Sequence, residues 1–321
     1  MKNRTVCIIG GTGFVGRHLA NHLTERGYRV HIPTRRRERH RDMLVNPRIT
    51  LVEADVHDPK ALRRELNGAV AVINLAGILN EFRDGEFRQV HVELPGKIVD
   101  AAIALGIPRL LHMSALNADA GERDSRYLRT KGEGEDLVHA AAGDRLMVTS
   151  FRPSVIFGPG DSFFNRFAGL LRMTPLMFPL ACPDSRFAPV YVGDVTGAYT
   201  RALEDDEDTV GRRYELCGPQ TFTLRELVEY TARTLGIRRR IVGLGDGLSK
   251  LQARMLEWAP GKPFSRDNYH SLQKASVCRE NGLEQLGIRP TAIDTIVPQY
   301  LGQRRLRSRY QQFRQWARRR V

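Results

Sequence analysis

Three glycines, Gly10, Gly13 and Gly16, stand between a short apolar run and an amphipathic stretch at the start of the chain. No other feature restricts the fold as much. The run 6–9 has the length of a strand buried on both faces. Residues 14–26 carry Leu19, Ala20 and Leu23 at helical spacing and stop at Gly27, where a left-handed terminal glycine belongs. Between such elements the first glycine allows a tight turn and the second lets the backbone approach a pyrophosphate. The third permits close helix–strand contact, and the helix N-terminus adds free N–H groups and a positive dipole. Gly10, Gly11, Thr12, Gly13, Phe14, Val15 and Gly16 are therefore expected to hold a dinucleotide. The competing reading is a glycine turn without a ligand. The βαβ context that follows argues against it.

That context extends through the first 157 residues. Apolar runs at 6–9, 30–32, 49–52, 70–75, 110–113 and 147–151 alternate with helical patterns at 14–26, 59–66, 87–105 and 127–142. Alternation of this kind predicts an α/β protein with a Rossmann-type, doubly wound parallel sheet. Beyond Gly158 the pattern breaks up. Six prolines between Pro153 and Pro189 punctuate it, and Thr223 with Glu226 reads as a capping box before a helix at 224–235. Residues 158–302 are expected to form mostly a small, discontinuous C-terminal cap, with 190–203 returning to the first domain.

At the end of the second strand an NAD-preferring fold places an acid for the ribose hydroxyls. Here stand Thr34, Arg35, Arg36 and Arg37, with the first carboxylate at Glu38. A carboxylate would repel a 2′-phosphate, whereas Arg35 or Arg36 can pair with one. The sequence thus favours NADP(H), with NAD(H) as the alternative and a solvated arginine loop as the plain reading. Asp55 and Val56 follow the third strand, where an adenine would lie. Asn74, Leu75, Ala76 and Gly77 follow the fourth, on the far side of the cofactor. Either could equally be ordinary strand-end turn chemistry.

Tyr127 and Lys131 form the one Tyr-x-x-x-Lys of the chain, opening a helix after the fifth strand, and Ser114 sits at that strand's end. On a helix, i and i+4 share a face. The phenol is expected to act as acid or base, the ammonium to stabilise its phenolate and anchor the ribose, and Ser114 to hydrogen-bond the substrate oxygen. The competing reading is an exposed pair on a surface helix.

Together these residues resemble the short-chain dehydrogenase/reductase superfamily in its extended or atypical branch. The likeness rests on the Gly10–Gly16 loop, Asp55, Asn74 to Gly77, Ser114, Tyr127 with Lys131, and Arg152 with Pro153. The stretches 125–135 and 151–161, with Asn165, Arg166 and Phe167, are similar to bacterial relatives of the nucleotide-binding accessory subunit of respiratory complex I. These are commonly called NAD-dependent epimerase/dehydratases. The resemblance implies a bound nicotinamide nucleotide with Pro153 beside it. It also implies an oxidoreductase or epimerase/dehydratase serving complex I or quinone metabolism, or a non-catalytic NADPH-holding accessory protein. A nucleotide-sugar substrate is the third option. Against it, only 13 positions separate Ser114 from Tyr127, and a Ser-Ser-x-x-Val-Tyr-Gly stretch is lacking. The substrate is left as an unidentified small molecule.

Cys7, Cys182, Cys217 and Cys278 are widely spaced, without C-x-x-C or nearby His. The pattern predicts neither a disulfide framework nor a metal site. Residues 1–9 are too short and too glycine-bounded for a signal peptide. No apolar run reaches the roughly 18 to 20 residues of a membrane-spanning helix. These features point to a reducing, cytoplasmic setting, or to the inner face of the membrane. The net charge is +14, of which eight arginines in 303–321 supply +8. In that tail Leu306, Tyr310, Phe313 and Ala317 recur at i, i+4, i+7 and i+11, as on a helix lying against an anionic membrane surface or a membrane-bound respiratory or quinone complex. A solvated helix is the plain alternative. No recognition motif supports nucleic acid as the partner.

Overall fold

The computed structural model describes residues 4–174, 176–258 and 264–301. Its centre is a parallel sheet of seven strands among the described residues. Six are β1 (Thr5–Ile9), β2 (Arg29–Thr34), β3 (Ile49–Glu53), β4 (Ala71–Asn74), β5 (Arg109–Met113) and β6 (Met147–Pro153), each on an apolar run of the sequence. The seventh, β7 (Arg213–Leu216), comes from beyond the first 157 residues and pairs with β6, Tyr214 opposite Phe151. The order is β7-β6-β5-β4-β1-β2-β3. β1 lies between β2 and β4, with Val6 opposite Val30 on one side and Ala71 on the other. Both faces of the sheet are covered, which is why its strands read as unbroken apolar runs.

On one face α1 (Phe14–Glu25) supplies Leu19, Ala20 and Leu23 to an apolar core. On the other, α2 (Pro59–Leu66), α3 (Leu94–Leu105) and α4 (Arg126–Ala140) bring Leu62, Ile98 and Val138 together. The helix expected over 87–105 is broken in the structure. A helical turn at Glu86–Arg88 passes into a π-helical stretch, Gln89–Glu93, before α3 begins. Pro95 has no N–H to offer the carbonyl of His91 four residues back, so that carbonyl leaves the α pattern. It projects against α4, where a Cβ at Gly134 would lie 1.8 Å from it. The glycine inside α4 is therefore required by a close approach rather than by helix propensity.

The rest of the chain builds a cap and also returns to the first layer. α5 (Phe163–Met173) belongs to the cap, whereas α6 (Val192–Glu204) packs on α1 and adds Val195, Ala198 and Tyr199 to its core. α7 (Leu224–Thr234) starts with the capping box of the sequence: Thr223 Oγ1 accepts the Glu226 N–H at 3.2 Å, and the Glu226 carboxylate accepts the Thr223 N–H at 2.6 Å. α8 (Asp246–Leu256) and α9 (Arg266–Leu272) follow. α10 (Ile293–Leu301) joins α5 and α7 around Phe164, Leu171, Leu227 and Val297. Two short strands, Met177–Leu180 and Arg240–Gly243, pair in parallel within the cap.

One expectation is corrected. Cys217 and Cys278 form a disulfide across 61 positions, while Cys7 and Cys182 are free and buried. Spacing could not show the pairing, because it arises when the segment after α9 comes back along the end of β7. There Asn281 accepts the Cys217 N–H and donates to the Cys217 carbonyl. No helix among the described residues is long and apolar enough to cross a membrane. The basic stretch 303–321 lies outside the described residues.

A candidate dinucleotide site and its acid–base pair

Strand order reverses between β1 and β4, and the loops after these two strands flank the crevice where α/β sheets bind ligands. Gly10 has φ +79°, and a Cβ there would sit 2.9 Å from the Ala76 nitrogen. A Cβ at Gly16 would come within 2.5 Å of the Gly11 Cα. Gly13 is exposed, and a Cβ there would meet nothing nearer than the Gly10 carbonyl at 3.2 Å. The turn is thus closed inward and open outward. α1 begins at this opening with no side-chain cap and no acid in its first turn, so its N–H groups face no competing anion. Thr12 is fixed by its carbonyl, which accepts Arg17 Nε at 3.0 Å, and Phe14 and Val15 are half-buried in the first turn. These residues fit a pyrophosphate.

Thr34 is buried at the end of β2, its carbonyl accepting the Ala54 N–H. Arg35 and Arg36 follow it, exposed and without an ion pair among the described residues. Glu38 is engaged by Arg41, and Arg17 is held by Asp42 at 2.6 Å. Asp55 accepts the His57 N–H at 2.9 Å, which shapes the turn after β3. His57 lies below its ordinary pKa, chiefly through burial; the Arg35 charge adds to the lowering, so Arg35 bears on this same turn. Val56 packs against the core under α2. After β4 the Asn74 side chain accepts the Ala76 N–H at 3.1 Å, and the Leu75 N–H reaches the Ile9 carbonyl at 2.9 Å.

Lys131 and Ser114 meet at the end of β5. The buried Lys131 ammonium donates to the Met113 carbonyl at 2.7 Å, and it lies 3.4 Å from where a Cβ at Gly77 would be. It has no carboxylate within ion-pairing distance among the described residues, and burial lowers its pKa to about 8 despite the pull of Glu135. Tyr127, one turn earlier on α4, is half-buried with its ring against His91 and Phe87 at 5.6 and 6.0 Å. Its phenol is pushed up to about 12, by burial first and then by the Asp267 charge. No hydrogen bond joins Tyr127 to Ser114 or Lys131. Ser114 donates instead to Glu135 at 2.9 Å. Pro153, at the end of β6, accepts the Leu116 N–H.

Four residues that sequence reasoning gave no role organise this site. Glu135 is wholly buried and holds both the Ser114 hydroxyl and the Arg152 guanidinium. His91, in the π stretch, accepts the Ile78 N–H on Nε2 at 3.1 Å, and its Nδ1 lies 3.0 Å from Thr130 Oγ1. The Thr130 hydroxyl already donates to backbone carbonyls, so the ring is neutral with its proton on Nδ1. Burial first, then the Lys131 charge, drives its pKa down to about 2. Asp267 comes from α9 and accepts the Arg126 N–H at 2.6 Å, capping α4 from the opposite domain together with Ser125. Glu135 and Arg152 lie in stretches that carry the family resemblance. His91 and Asp267 have no sequence signal of their own.

Beside this pair opens a cavity of about 510 Å³, bounded by Asn80, Phe87, Arg126, Trp258, Asp267 and His270. Tyr127 stands behind two of these walls rather than lining the cavity, its ring centroid 6.0 Å from that of Phe87 and its backbone N–H donating to Asp267.

Comparison with known proteins agrees with this architecture. The profile of the NAD dependent epimerase/dehydratase family matches residues 6–217. The chain is 31% identical over 300 residues to the mouse mitochondrial protein NADH dehydrogenase [ubiquinone] 1 alpha subcomplex subunit 9, covering 89% of this chain and 77% of that one. It is 31% identical over 246 residues to a ceramide reductase of Caulobacter vibrioides, covering 75% and 74%. Among solved structures, the dTDP-glucose 4,6-dehydratase DesIV from Streptomyces venezuelae, with NAD and TYD bound, superposes with TM-score 0.74. The match covers 97% of this chain and 98% of that one at 20% identity, a likeness of fold.

Proposed function

Since the chain belongs to the NAD dependent epimerase/dehydratase family, we propose that it binds NADP(H) in preference to NAD(H) across the β1–β4 crevice. On this reading it is an oxidoreductase for a small molecule held in the cavity beside Tyr127. The observation that carries nucleotide binding is Lys131, a buried ammonium with no carboxylate within ion-pairing distance among the described residues, set against Gly77 at the edge of the crevice; the exposed Arg35 and Arg36 support the choice of NADP(H). A buried cation left unpaired is costly unless a ligand uses it.

When bound, the dinucleotide supplies or accepts hydride. The protein side of the chemistry follows from the two pKa values. Tyr127 carries its proton at neutral pH, as an ordinary tyrosine does; its pKa of about 12 makes it the weaker acid, so donation to a substrate carbonyl depends on a positive charge beside the phenolate left behind. Lys131 offers a positive charge against the phenolate left behind. Arg35 and Arg36 hold the 2′-phosphate, Gly13 and the first turn of α1 the pyrophosphate, and Asp55 with Val56 the adenine. Ser114 serves as the oxyanion donor only by exchanging its bond to Glu135 for one to substrate.

That same bond supports a second reading, a nucleotide-holding accessory protein of a respiratory complex, since the proton of Ser114 is engaged in structure. Similarity to the mouse complex subunit favours it too. The two readings part in one experiment. The nucleotide released from denatured protein is identified by mass spectrometry, then NADPH and NADH are titrated and candidate carbonyls are screened with wild type and Tyr127→Phe. Turnover that Tyr127→Phe abolishes supports the enzyme. Tightly retained NADPH with no turnover, and cells indifferent to Tyr127→Phe, support the accessory role.

A further inference from the structure

The helix α8 is built inside out. Its buried positions are Ser249 and Ala253, 1% and 0% exposed, while Leu248, Leu251 and Met255 are 57%, 52% and 65% exposed. With Trp258 just past its end, 89% exposed, these four side chains recur at i, i+3, i+7 and i+10 and form one stripe. A helix that serves only its own core buries its leucines and shows its serine. This one keeps a large apolar face that no contact among the described residues covers, which marks a surface meant to be covered.

The charges around the stripe say by what. Lys250 and Arg254 flank it on one side of the same helix. The strand pair touched by Gln252 of α8 presents Met177 and Val242 on its open face, with Arg240 beside them. Arg172, Arg238 and Arg254 are free of ion pairs among the described residues, as is Arg240, whereas the two acids of α8 and its end are engaged, Asp246 by Lys250 and Tyr269 and Glu257 by Arg266. The face is therefore apolar at its centre and uncompensated positive at its rim. A protein partner of matching shape would need a concave acidic site; a flat anionic lipid surface needs only what is present.

We propose that the stripe of α8 and Trp258 docks on an anionic bilayer, with the side chains in the acyl boundary and the arginines at the headgroups. Trp258 also bounds the cavity beside Tyr127, so docking turns the mouth of that cavity toward the lipid. The substrate class that follows is an amphiphile dissolved in the membrane. This last step rests on the oxidoreductase reading above, whereas the docking does not.

The test is co-sedimentation of the full chain with phosphatidylcholine–phosphatidylglycerol vesicles, for wild type and for Leu251→Glu with Met255→Glu. Both positions are exposed, so thermal melting is expected to be unchanged while vesicle affinity falls by roughly tenfold or more. Unchanged affinity, with binding carried by 303–321 alone, overturns the proposal. Trp316→Phe leaves Trp258 as the one tryptophan of the chain; its fluorescence is expected to be quenched by brominated lipid, and unquenched fluorescence counts against insertion. Dimerisation without vesicles that the double substitution abolishes would assign the face to a second copy instead. Docking with no turnover of amphiphilic carbonyls would remove the substrate assignment and leave the docking standing.

Discussion

Glu135 and Arg152 form a two-point ion pair in which the carboxylate is wholly buried and the guanidinium partly reaches water. Arg152 Nε lies 3.0 and 2.8 Å from the two carboxylate oxygens. The asymmetry predicts an unequal response to mutation. Arg152→Ala strands a charge in the core and is expected to cost about 3–5 kcal/mol. Glu135→Ala leaves a guanidinium that can turn toward solvent and is expected to cost less. Urea unfolding of the two variants measures the difference; equal losses would refute the reading.

Arg35 and Arg36 have no ion pair among the described residues at the end of β2. If Arg35 holds a 2′-phosphate, Arg35→Ala removes a charged hydrogen bond worth about 1.5–3 kcal/mol, or roughly ten- to a hundredfold in affinity. NADPH binding is expected to weaken by that factor and NADH binding to change little. Fluorescence titration with both nucleotides decides it, and parallel losses would sink the assignment.

His91 is neutral and buried, with a folded pKa of about 2 against an ordinary value of 6.5. Between these values the unfolded chain binds a proton that the folded one refuses, so stability falls as pH drops below 6.5. From pH 6.5 to 5 this single group is expected to remove about 2 kcal/mol. The corresponding slope should be absent in His91→Gln. Melting curves of both proteins across that range provide the check.

The Cys217–Cys278 bond closes a loop of 61 residues, for which chain entropy predicts about 4 kcal/mol of stabilisation. Two thiols are expected to titrate in denatured, unreduced protein and four after reduction. Cys278→Ser should lower the urea midpoint and lose its sensitivity to reductant. Four reactive thiols without reductant would show the bond to be unformed.

Local signals in the sequence carried the first layer well. Gly10, Gly13 and Gly16 act through turns and contacts within a few residues, and apolar runs report burial on both faces. Thr223 and Glu226 are likewise neighbours in chain and in space. What escaped depends on distance along the chain. Asp267 caps a helix that starts at Arg126, and Cys278 meets Cys217 only after the cap has folded back. The break at His91 was written in Pro95, yet a proline near a helix start is also ordinary there. The stripe of α8 was hidden for another reason. Leucines at helical spacing look the same whether they face a core or a partner, and only the burial of Ser249 and Ala253 tells the two apart.

Because β7 completes the central sheet only after the chain has left it to build α5 and begun the cap, the two parts of this protein are not separable modules. On the ribosome, β6 waits as an open edge until residues 213–216 emerge, so the sheet closes late in synthesis. A fragment ending at residue 157 would keep that edge and lose α6 from the face of α1. For the same reason, a cap from a relative cannot be grafted by one fusion point. An exchange must respect the junctions after β6, before α6 and again past β7, for the hybrid to inherit a finished sheet.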